Sequence, residues 1–357
     1  MIDTTEVRRR VDDAITRQLD LGRADLADLM PEAHDLLAAI GALMAGGKRL
    51  RPLFLHLGYR AAGRPDDAAA VELAASVEFL QAAALIHDDV IDRSATRRGV
   101  PTVHTALAAA HRDRGWEGDA ERFGEAGAIL AGNLCLGWSQ ARYAGCGLSA
   151  DDLARARPAF DLMHTQLMAG QYLDVVEAAR PWSQLSAAQR IDQATRVITY
   201  KSAKYSIQHP LLIGAQAGGV SGAALDALGD YGLALGIAFQ LRDDLLGIFG
   251  DPAETGKPAG DDLREGKRTV LIAHTLAGCA EPEQAYVERA LGDPGLDDAA
   301  IEKLRDVIRR SGAVARVEAA IAQHAGDAAA ALDRVGVDPE AATVLREMIG
   351  RVTERRA

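Results

Sequence analysis

The chain has 357 residues, of which 48% are hydrophobic and 25% charged, so it can bury a sizeable core and is neither disordered nor fibrous. Lys and Arg number 40 against 51 Asp and Glu, and the net charge of −11 argues against the basic surface that a nucleic-acid partner requires. Its three cysteines are too few and too widely spaced for a disulfide framework or a zinc site, which favours a reducing, cytoplasmic location.

Alanine and leucine recur at helical spacing along the chain, and alternating β-branched runs are missing, so we predict an all-α fold. Helix starts are marked at Pro52, Ser149, Ser186 and Asp338, and helix ends at Gly46–Gly47, Gly63 and Gly250. Long apolar helices are expected at residues 68–92 and 223–249, and a charged, glycine-containing surface loop at residues 111–127. Residues 205–225 carry no charge, but their glycines and polar groups favour a packed core helix over a transmembrane segment. No linker or repeat divides residues 1–357, so we expect one domain.

The first long helix ends in three carboxylates, Asp88, Asp89 and Asp92. Residues four apart share a helix face, so Asp88 and Asp92 lie together with Asp89 beside them, and like charges at this spacing repel. A cation would relieve the repulsion, and Mg²⁺ prefers such oxygen ligands and bridges them to phosphates. Taken alone, the cluster would more readily be a solvated helix end.

A second acid pair, Asp243–Asp244, closes the other long helix, which makes facing carboxylates across a bundle cavity a reasonable expectation. Basic groups accompany both acid clusters, in Gly46–Pro52 (GGKRLRP) and Arg97–Gly99 (RRG). Because arginine binds phosphate oxygens in pairs and lysine acts as a point charge, the combination predicts a metal-bridged diphosphate ligand.

These motifs resemble those of the trans-isoprenyl diphosphate synthases, the polyprenyl synthetase family, and most of all geranylgeranyl diphosphate synthases. The matching motifs, in the family's order and spacing, are GGKRLRP (46–52), LIHDDVID (85–92) with RRG (97–99), GQYLD (170–174), KSA (201–203) and FQLRDD (239–244) with GKPAGDDL (256–263). The resemblance implies a single-domain antiparallel helical bundle around a deep central cavity, usually a homodimer without a transmembrane segment. It also implies Mg²⁺-dependent head-to-tail condensation of isopentenyl diphosphate with an allylic diphosphate.

The resemblance assigns roles residue by residue. The metal-binding carboxylates would be Asp88, Asp89, Asp92, Asp243 and Asp244. The diphosphate of isopentenyl diphosphate would bind Lys48, Arg51, Gln81 and Arg98; the allylic diphosphate would bind Arg97, Lys201 and Lys257, and Lys267 is counted with these diphosphate-binding groups. The reacting centre would be lined by the catalytic set Lys201, Ser202, Gln240, Gln171 and Asp174.

The second acidic motif departs from the family, because Gly247 stands where many relatives carry a third aspartate. Asp251 follows shortly after, but it lies in a Gly-Asp-Pro turn and is given no metal role.

The resemblance also bears on product length, because in the resembling enzymes the growing tail runs beside the first long helix and residues upstream of Asp88 act as its floors. Ala83 and Ala84 are small and leave the first floor open, whereas Phe79 and Leu80 lie one turn further, ~5.4 Å away. We therefore expect a twenty-carbon product, geranylgeranyl diphosphate, with farnesyl or longer-chain synthesis as alternatives.

Two other functions compete with this one. A terpene cyclase would not need the second basic set, Lys48, Arg51 and Arg98. A non-catalytic partner subunit of a heteromeric synthase would typically lose an aspartate motif, and here the first is intact and the second nearly so.

Overall fold

The computed structural model describes residues 2–29, 32–250, 260–334 and 336–354. The described residues are almost entirely helical, which confirms the all-α prediction. The helices are α1 (Thr4–Asp25), α2 (Ala33–Met44), α3 (Leu50–Ala61), α4 (Ala68–Ile91), α5 (Val103–Asp113), α6 (Ala120–Gly145), α7 (Ala150–Ala179), α8 (Ala187–Val197), α9 (His209–Gly218), α10 (Gly222–Phe249), α11 (Asp261–Arg264), α12 (Val270–Gly278), α13 (Glu281–Ala290), α14 (Asp298–Arg310), α15 (Ala313–Asp333) and α16 (Pro339–Thr353). Three further elements are a hairpin of β1 (Thr96–Arg97) and β2 (Val100–Pro101), a 3₁₀ turn (Trp182–Gln184) and a π-helix (Ile198–Gln208).

The chain divides into two compact units, one of residues 1–158 and 213–220 and the other of residues 159–212 and 221–357. In the first unit α4 packs along α6, and α5 packs on α6 as well. Ser139 of α6 donates a 2.8 Å hydrogen bond to the carbonyl of Ser76, which fixes the two helices in register. In the second unit α10 packs against the π-helix and α15. Each unit has its own apolar core.

The two long helices begin and end close to the predicted residues. The Asp67 side chain accepts from the backbone N–H of Ala69 and caps α4, which then runs to the acidic cluster. α10 ends at Phe249, directly before Gly250. By length and composition α4 and α10 could each cross a membrane, but 72% and 50% of their most apolar stretches are buried within the protein, as in core helices of globular proteins.

The predicted loop at residues 111–127 is wrong over most of its length. α5 continues to Asp113 and α6 already starts at Ala120, because Asp119 caps its first turn by accepting from the N–H of Arg122. The rings of His111, Trp116 and Phe123 pack together with centroids 5.0–5.9 Å apart, which shortens the connection to residues 114–119.

The uncharged stretch at residues 205–225 does not form the single core helix that was predicted. It contains the end of the π-helix, all of α9 and the start of α10, and it turns at Gly219, whose φ of +104° lies in the left-handed region. Its apolar residues are nevertheless packed: Leu211, Ile213 and Ala215 are fully buried.

Candidate active site

The acidic end of α4 is organised around Asp89, whose side chain is completely buried. Arg97 donates to both Asp89 oxygens, from Nη2 at 2.6 Å and from Nε at 2.9 and 3.1 Å, and its Nη2 lies 3.7 Å from Asp88 Oδ2. Burial raises the pKa of Asp89, and Arg97 opposes that rise. Asp89 is therefore held in the interior by its ion pair with Arg97. Asp88 and Asp92 are only half-buried at the helix end.

The hairpin of β1 and β2 places Arg97 beside Asp89 and Arg98 beside Gly47. Its two turn residues, Arg98 and Gly99, have φ values of +54° and +76°, the conformation that a two-residue hairpin turn requires. Arg97 pairs with Asp89, whereas Nη1 of Arg98 lies 3.1 Å from the position that a Cβ on Gly47 would take. The hairpin thus joins the acidic cluster to the Gly46–Pro52 loop.

Arg49 holds that loop in place, although the sequence analysis assigned no role to it. It is 7% exposed with a left-handed φ of +48°, and it donates to Asp12 Oδ1 (2.7 Å), Glu78 Oε2 (2.8 Å) and the Met44 carbonyl (2.5 Å). One guanidinium therefore connects α1, α4 and the end of α2. The sequence contains an indication of this ion pair, because Glu78 is the sole charged residue between positions 73 and 87 and a carboxylate in so apolar a stretch needs a cation.

Arg98 lies within electrostatic reach of Glu78 and of three other arginines, Arg97, Arg49 and Arg51. Partial burial lowers the pKa of Arg98, Glu78 counters that effect, and Arg97, Arg49 and Arg51 add to it. Lys48 is exposed on the same loop, and Arg51 and Gln81 are half-buried in the first unit. Such a cationic cluster in a chain of net charge −11 is suited to a polyanion.

In the second unit, Lys201 and Ser202 lie on the π-helix, and Lys201 Nζ is 2.6 Å from Asp174 Oδ2 of α7. Gly170 makes this pairing possible: a Cβ there would lie 2.5 Å from the backbone nitrogen of Lys201, so only glycine lets α7 approach so closely. Gln171 is half-buried on α7 next to this contact. π-Helical segments often occur at functional sites.

The acid pair at the end of α10 consists of two unlike groups. Asp243 is exposed, whereas Asp244 is 7% exposed and accepts a 2.8 Å hydrogen bond from Gln240 on Oδ1 only. Its Oδ2 is buried without a hydrogen-bond partner among the described residues. Burial, followed by the charges of Asp262 and Asp243, raises the pKa of Asp244 to about 8.

An orphaned buried carboxylate oxygen beside other acids fits a hard cation such as Mg²⁺. Over residues 2–29, 32–250, 260–334 and 336–354, no three carboxylate, imidazole or thiolate groups already form a metal-binding cluster, so the fit rests on the chemistry of the donors. Lys267 lies 3.1 Å from Asp262 Oδ1 and 2.7 Å from Glu265 Oε2. Lys257 and Asp251 fall outside the described residues.

The four residues predicted to set product length occupy different environments on α4. Phe79 is fully buried and packs edge-on against Trp138 with a centroid distance of 5.7 Å, and Ala83 lies in the same core. Leu80 is 2% exposed, whereas Ala84 is half-buried. Ala84 is therefore the position of the four at which a larger side chain would extend beyond the packed interior.

The protein is helical, with aspartates near the ends of two long helices and a buried carboxylate oxygen that has no partner among the described residues. Together with the arginines near Arg98, this chemistry is suited to metal-bridged diphosphates. The model of the polyprenyl synthetase family matches residues 34–308. A geranylfarnesyl diphosphate synthase of Aeropyrum pernix is 32% identical over 339 residues, which cover 92% of this chain and 98% of that protein. A geranylgeranyl diphosphate synthase of Saccharolobus solfataricus is 33% identical over 279 residues, 76% of each chain.

Among solved structures, geranylgeranyl pyrophosphate synthase from Corynebacterium glutamicum, complexed with isoprenyl diphosphate and magnesium, matches with a TM-score of 0.94. The two chains are 41% identical, and the match covers 99% of this chain and 100% of the other. The protein belongs to the polyprenyl synthetase family. It is a prenyltransferase that condenses isopentenyl diphosphate with an allylic diphosphate.

Proposed function

We propose that the protein is a Mg²⁺-dependent geranylgeranyl diphosphate synthase. The observation that carries the proposal is the hairpin at residues 96–101, which ties an aspartate cluster through Arg97 to a separate arginine cluster through Arg98. Two differently charged groups of this kind suit a reaction with two diphosphate substrates, one bound through a cation and one bound directly. The small side chains at Ala83 and Ala84 support a product longer than fifteen carbons.

Asp88, Asp92 and Asp243 are proposed to bind Mg²⁺ for the allylic diphosphate, with Asp89 and Asp244 in support. The metal would supply positive charge to the departing diphosphate as the allylic C–O bond ionises. Arg97 keeps Asp89 buried and oriented, which fixes the end of α4 on which Asp88 and Asp92 stand.

The other side chains are proposed to bind the two diphosphates or to orient dipoles at the reacting centre. Lys48, Arg51, Gln81 and Arg98 are proposed to hold isopentenyl diphosphate, and Arg97, Lys201, Lys257 and Lys267 to contribute to allylic diphosphate binding. Ser202, Gln240, Gln171 and Asp174 are proposed to orient dipoles toward the developing carbocation. Asp174 holds the Lys201 ammonium at 2.6 Å, so this cation is positioned before substrate arrives.

Incubation of the purified protein with Mg²⁺, radiolabelled isopentenyl diphosphate and allylic starters of five, ten or fifteen carbons tests this proposal. We expect a main product of twenty carbons after removal of phosphate, and a loss of several orders of magnitude in turnover for Asp88→Ala. Hydrocarbon formed without incorporation of label would indicate a cyclase. Label incorporated only after a second protein is added would indicate a partner subunit.

We also propose a homodimer. Leu211 and Ile213 are buried within their own chain and do not supply its surface. Instead, α6 exposes Phe123, Ile129 and Leu130, and α7 exposes Leu162, Met168, Tyr172 and Val175. Exposed apolar side chains along a helix are typical of obligate interfaces.

Sedimentation at micromolar concentration should show a species of twice 37.8 kDa, and Leu130→Glu should shift it toward the monomer. A wild-type species of 37.8 kDa alone would contradict the dimer. A cytoplasmic location is part of the same proposal, supported by three cysteines that are all free, two of them buried.

A further inference from the structure

His87, directly before Asp88, packs against α6 at a place that only glycine leaves open. The buried Gly132 of α6 faces the imidazole ring, and α4 packs along α6. A Cβ on Gly132 would overlap three atoms of that ring, none of them further away than 2.7 Å. Position 132 must therefore lack a side chain for the ring of His87 to occupy this place.

The same turn of α6 also binds the ring through a hydrogen bond. Nε2 of His87 lies 3.3 Å from the carbonyl oxygen of Ile129, three residues before Gly132. A carbonyl oxygen only accepts, so the ring donates from Nε2. A hydrogen bond is directional, whereas apolar contact is not. The ring therefore fixes the orientation of the last turn of α4 on α6 in addition to its distance from α6.

The last turn of α4 presents different faces to α6 and to the acidic cluster. Ala83 and Ile86 belong to the apolar core that α4 shares with α6, and His87, four residues after Ala83, extends that face. Asp88 and Asp92, also four residues apart, share another face and are half-buried. A rotation or shift of this turn on α6 would thus move both carboxylates together.

We propose that His87 is a positioning residue, which docks the last turn of α4 on α6 and thereby sets where Asp88 and Asp92 stand when they bind Mg²⁺. Arg97 holds the same turn to the hairpin through Asp89, so the two contacts fix it from different elements. This inference rests on the proposed Mg²⁺-dependent function. The competing interpretation is that the ring only fills space on α6 and contributes to stability.

The apparent affinity for Mg²⁺ in the presence of inorganic pyrophosphate separates these interpretations without any turnover, and the rise in melting temperature at increasing Mg²⁺ measures it. We expect His87→Ala to weaken this affinity by about tenfold, as loss of groups that orient metal ligands commonly does. His87→Gln should stay within about threefold of wild type, because its amide can still donate to the Ile129 carbonyl. A space-filling role predicts a lower melting temperature without metal and an unchanged Mg²⁺ affinity in His87→Ala.

Gly132→Ala tests the same contact from α6, because the new methyl group displaces the ring without altering it. It should weaken Mg²⁺ binding about as much as His87→Ala does. Gly137→Ala is the matched control on the same helix, where a Cβ meets nothing within 4 Å, and its affinity should stay within about twofold of wild type. The double variant Gly132→Ala with His87→Ala removes the collision, and we expect its affinity to remain low. Recovery in the double variant would show that packing alone matters.

Turnover supplies a second readout. In His87→Ala the Mg²⁺ concentration for half-maximal rate should rise in proportion to the loss of affinity, while KM for isopentenyl diphosphate changes by less than about twofold. If His87→Ala binds Mg²⁺ and pyrophosphate like wild type, the inference is wrong while the proposed function stands. If wild type itself shows no Mg²⁺-dependent shift and no condensation, the proposed function is wrong, and the inference fails with it.

Discussion

Arg49 shows how a buried charge can fix the position of an exposed loop, here the one that carries Lys48. Its guanidinium is enclosed with Glu78, and both side chains are less than 10% exposed. A buried ion pair of this kind adds little net stability, but loss of one partner leaves the other charge unpaired in a low-dielectric interior. The geometry of the Gly46–Pro52 loop therefore depends on a residue that does not itself face solvent.

We expect Arg49→Met to lower the free energy of unfolding by about 3–5 kcal/mol, because Glu78 would be left buried without its cation. Urea denaturation measures the loss. The double variant with Glu78→Leu should recover a large part of it, since no buried charge is then left unpaired and the side chain of Asp12, the other carboxylate partner of Arg49, is 42% exposed. A loss below about 1 kcal/mol in the single variant would mean that Glu78 finds another cation.

Arg98→Ala should separate the two substrates. Arg98 belongs to the cationic cluster and not to the Asp89 pair, so its removal should raise KM for isopentenyl diphosphate about tenfold or more and KM for the allylic substrate much less. Arg112→Ala serves as control, because Arg112 is an exposed arginine that pairs with Glu121. Equal increases in both KM values would refute the division of roles.

These residues also mark the limit of what the sequence predicts about the site. The family motifs located the acidic clusters and the basic segments, because those side chains recur at fixed spacing. They could not show that Arg97 binds Asp89, since that pairing depends on the left-handed turn at Arg98–Gly99. Asp262 belongs to the GKPAGDDL segment, but its proximity to Gly247 of α10 appears only in the folded structure.

At the scale of elements, apolar periodicity located the ends of both long helices within one residue, and Gly250 marked the end of α10. The π-helix at Ile198–Gln208 was not predicted, since its hydrogen-bond register is imposed by packing. Gly170 and Gly236 permit that packing: each would bring a Cβ to 2.5 Å of backbone atoms of the π-helix. Packing against α7 and α10, and not the local sequence, therefore sets the π-helical register of this segment.

α4 carries the prediction on product length. Ala84→Phe should shorten the main product by at least one five-carbon unit, because this half-buried position leaves room for a ring to extend along the helix surface. Ala84→Ser is the matched control and should leave the distribution unchanged. Chromatography of dephosphorylated products decides the matter, and an unchanged distribution in Ala84→Phe would mean that the tail does not follow this face.

Phe79→Ala is expected to act differently from what the sequence alone suggested. The ring is enclosed by the first unit's core and packs against Trp138, so its loss should cost about 3–5 kcal/mol of stability in addition to any lengthening of product. Product length in this variant is therefore interpretable only beside its urea midpoint.

At the scale of the whole molecule, stability should fall as the pH is lowered, because two histidines are buried in neutral form. His56 is 1% exposed and His209 is 4% exposed, and burial lowers the pKa of each to about 4. His56 Nε2 lies 3.8 Å from Asp66 Oδ1, a distance too long to offset its burial, whereas His209 Nε2 is 2.9 Å from Gln166 Oε1. The unfolded chain would protonate both near pH 6.5.

Between about pH 6.5 and pH 4 the unfolded state therefore binds more protons than the folded state, and the free energy of unfolding declines as the pH falls. Each pKa difference of one unit is worth about 1.4 kcal/mol, so each histidine contributes up to about 3 kcal/mol over this window. Asp244 acts in the opposite sense, because its raised pKa favours the folded state at low pH and weakens it as the pH rises toward 8. The contribution of the histidines is therefore measured as the difference between each variant and wild type.

Urea denaturation at pH 7 and pH 5 gives the free energy of unfolding at each pH. Its decline between the two pH values should be smaller for His56→Gln and His209→Gln than for wild type. An identical decline in all three proteins would show that neither histidine remains neutral in the folded protein.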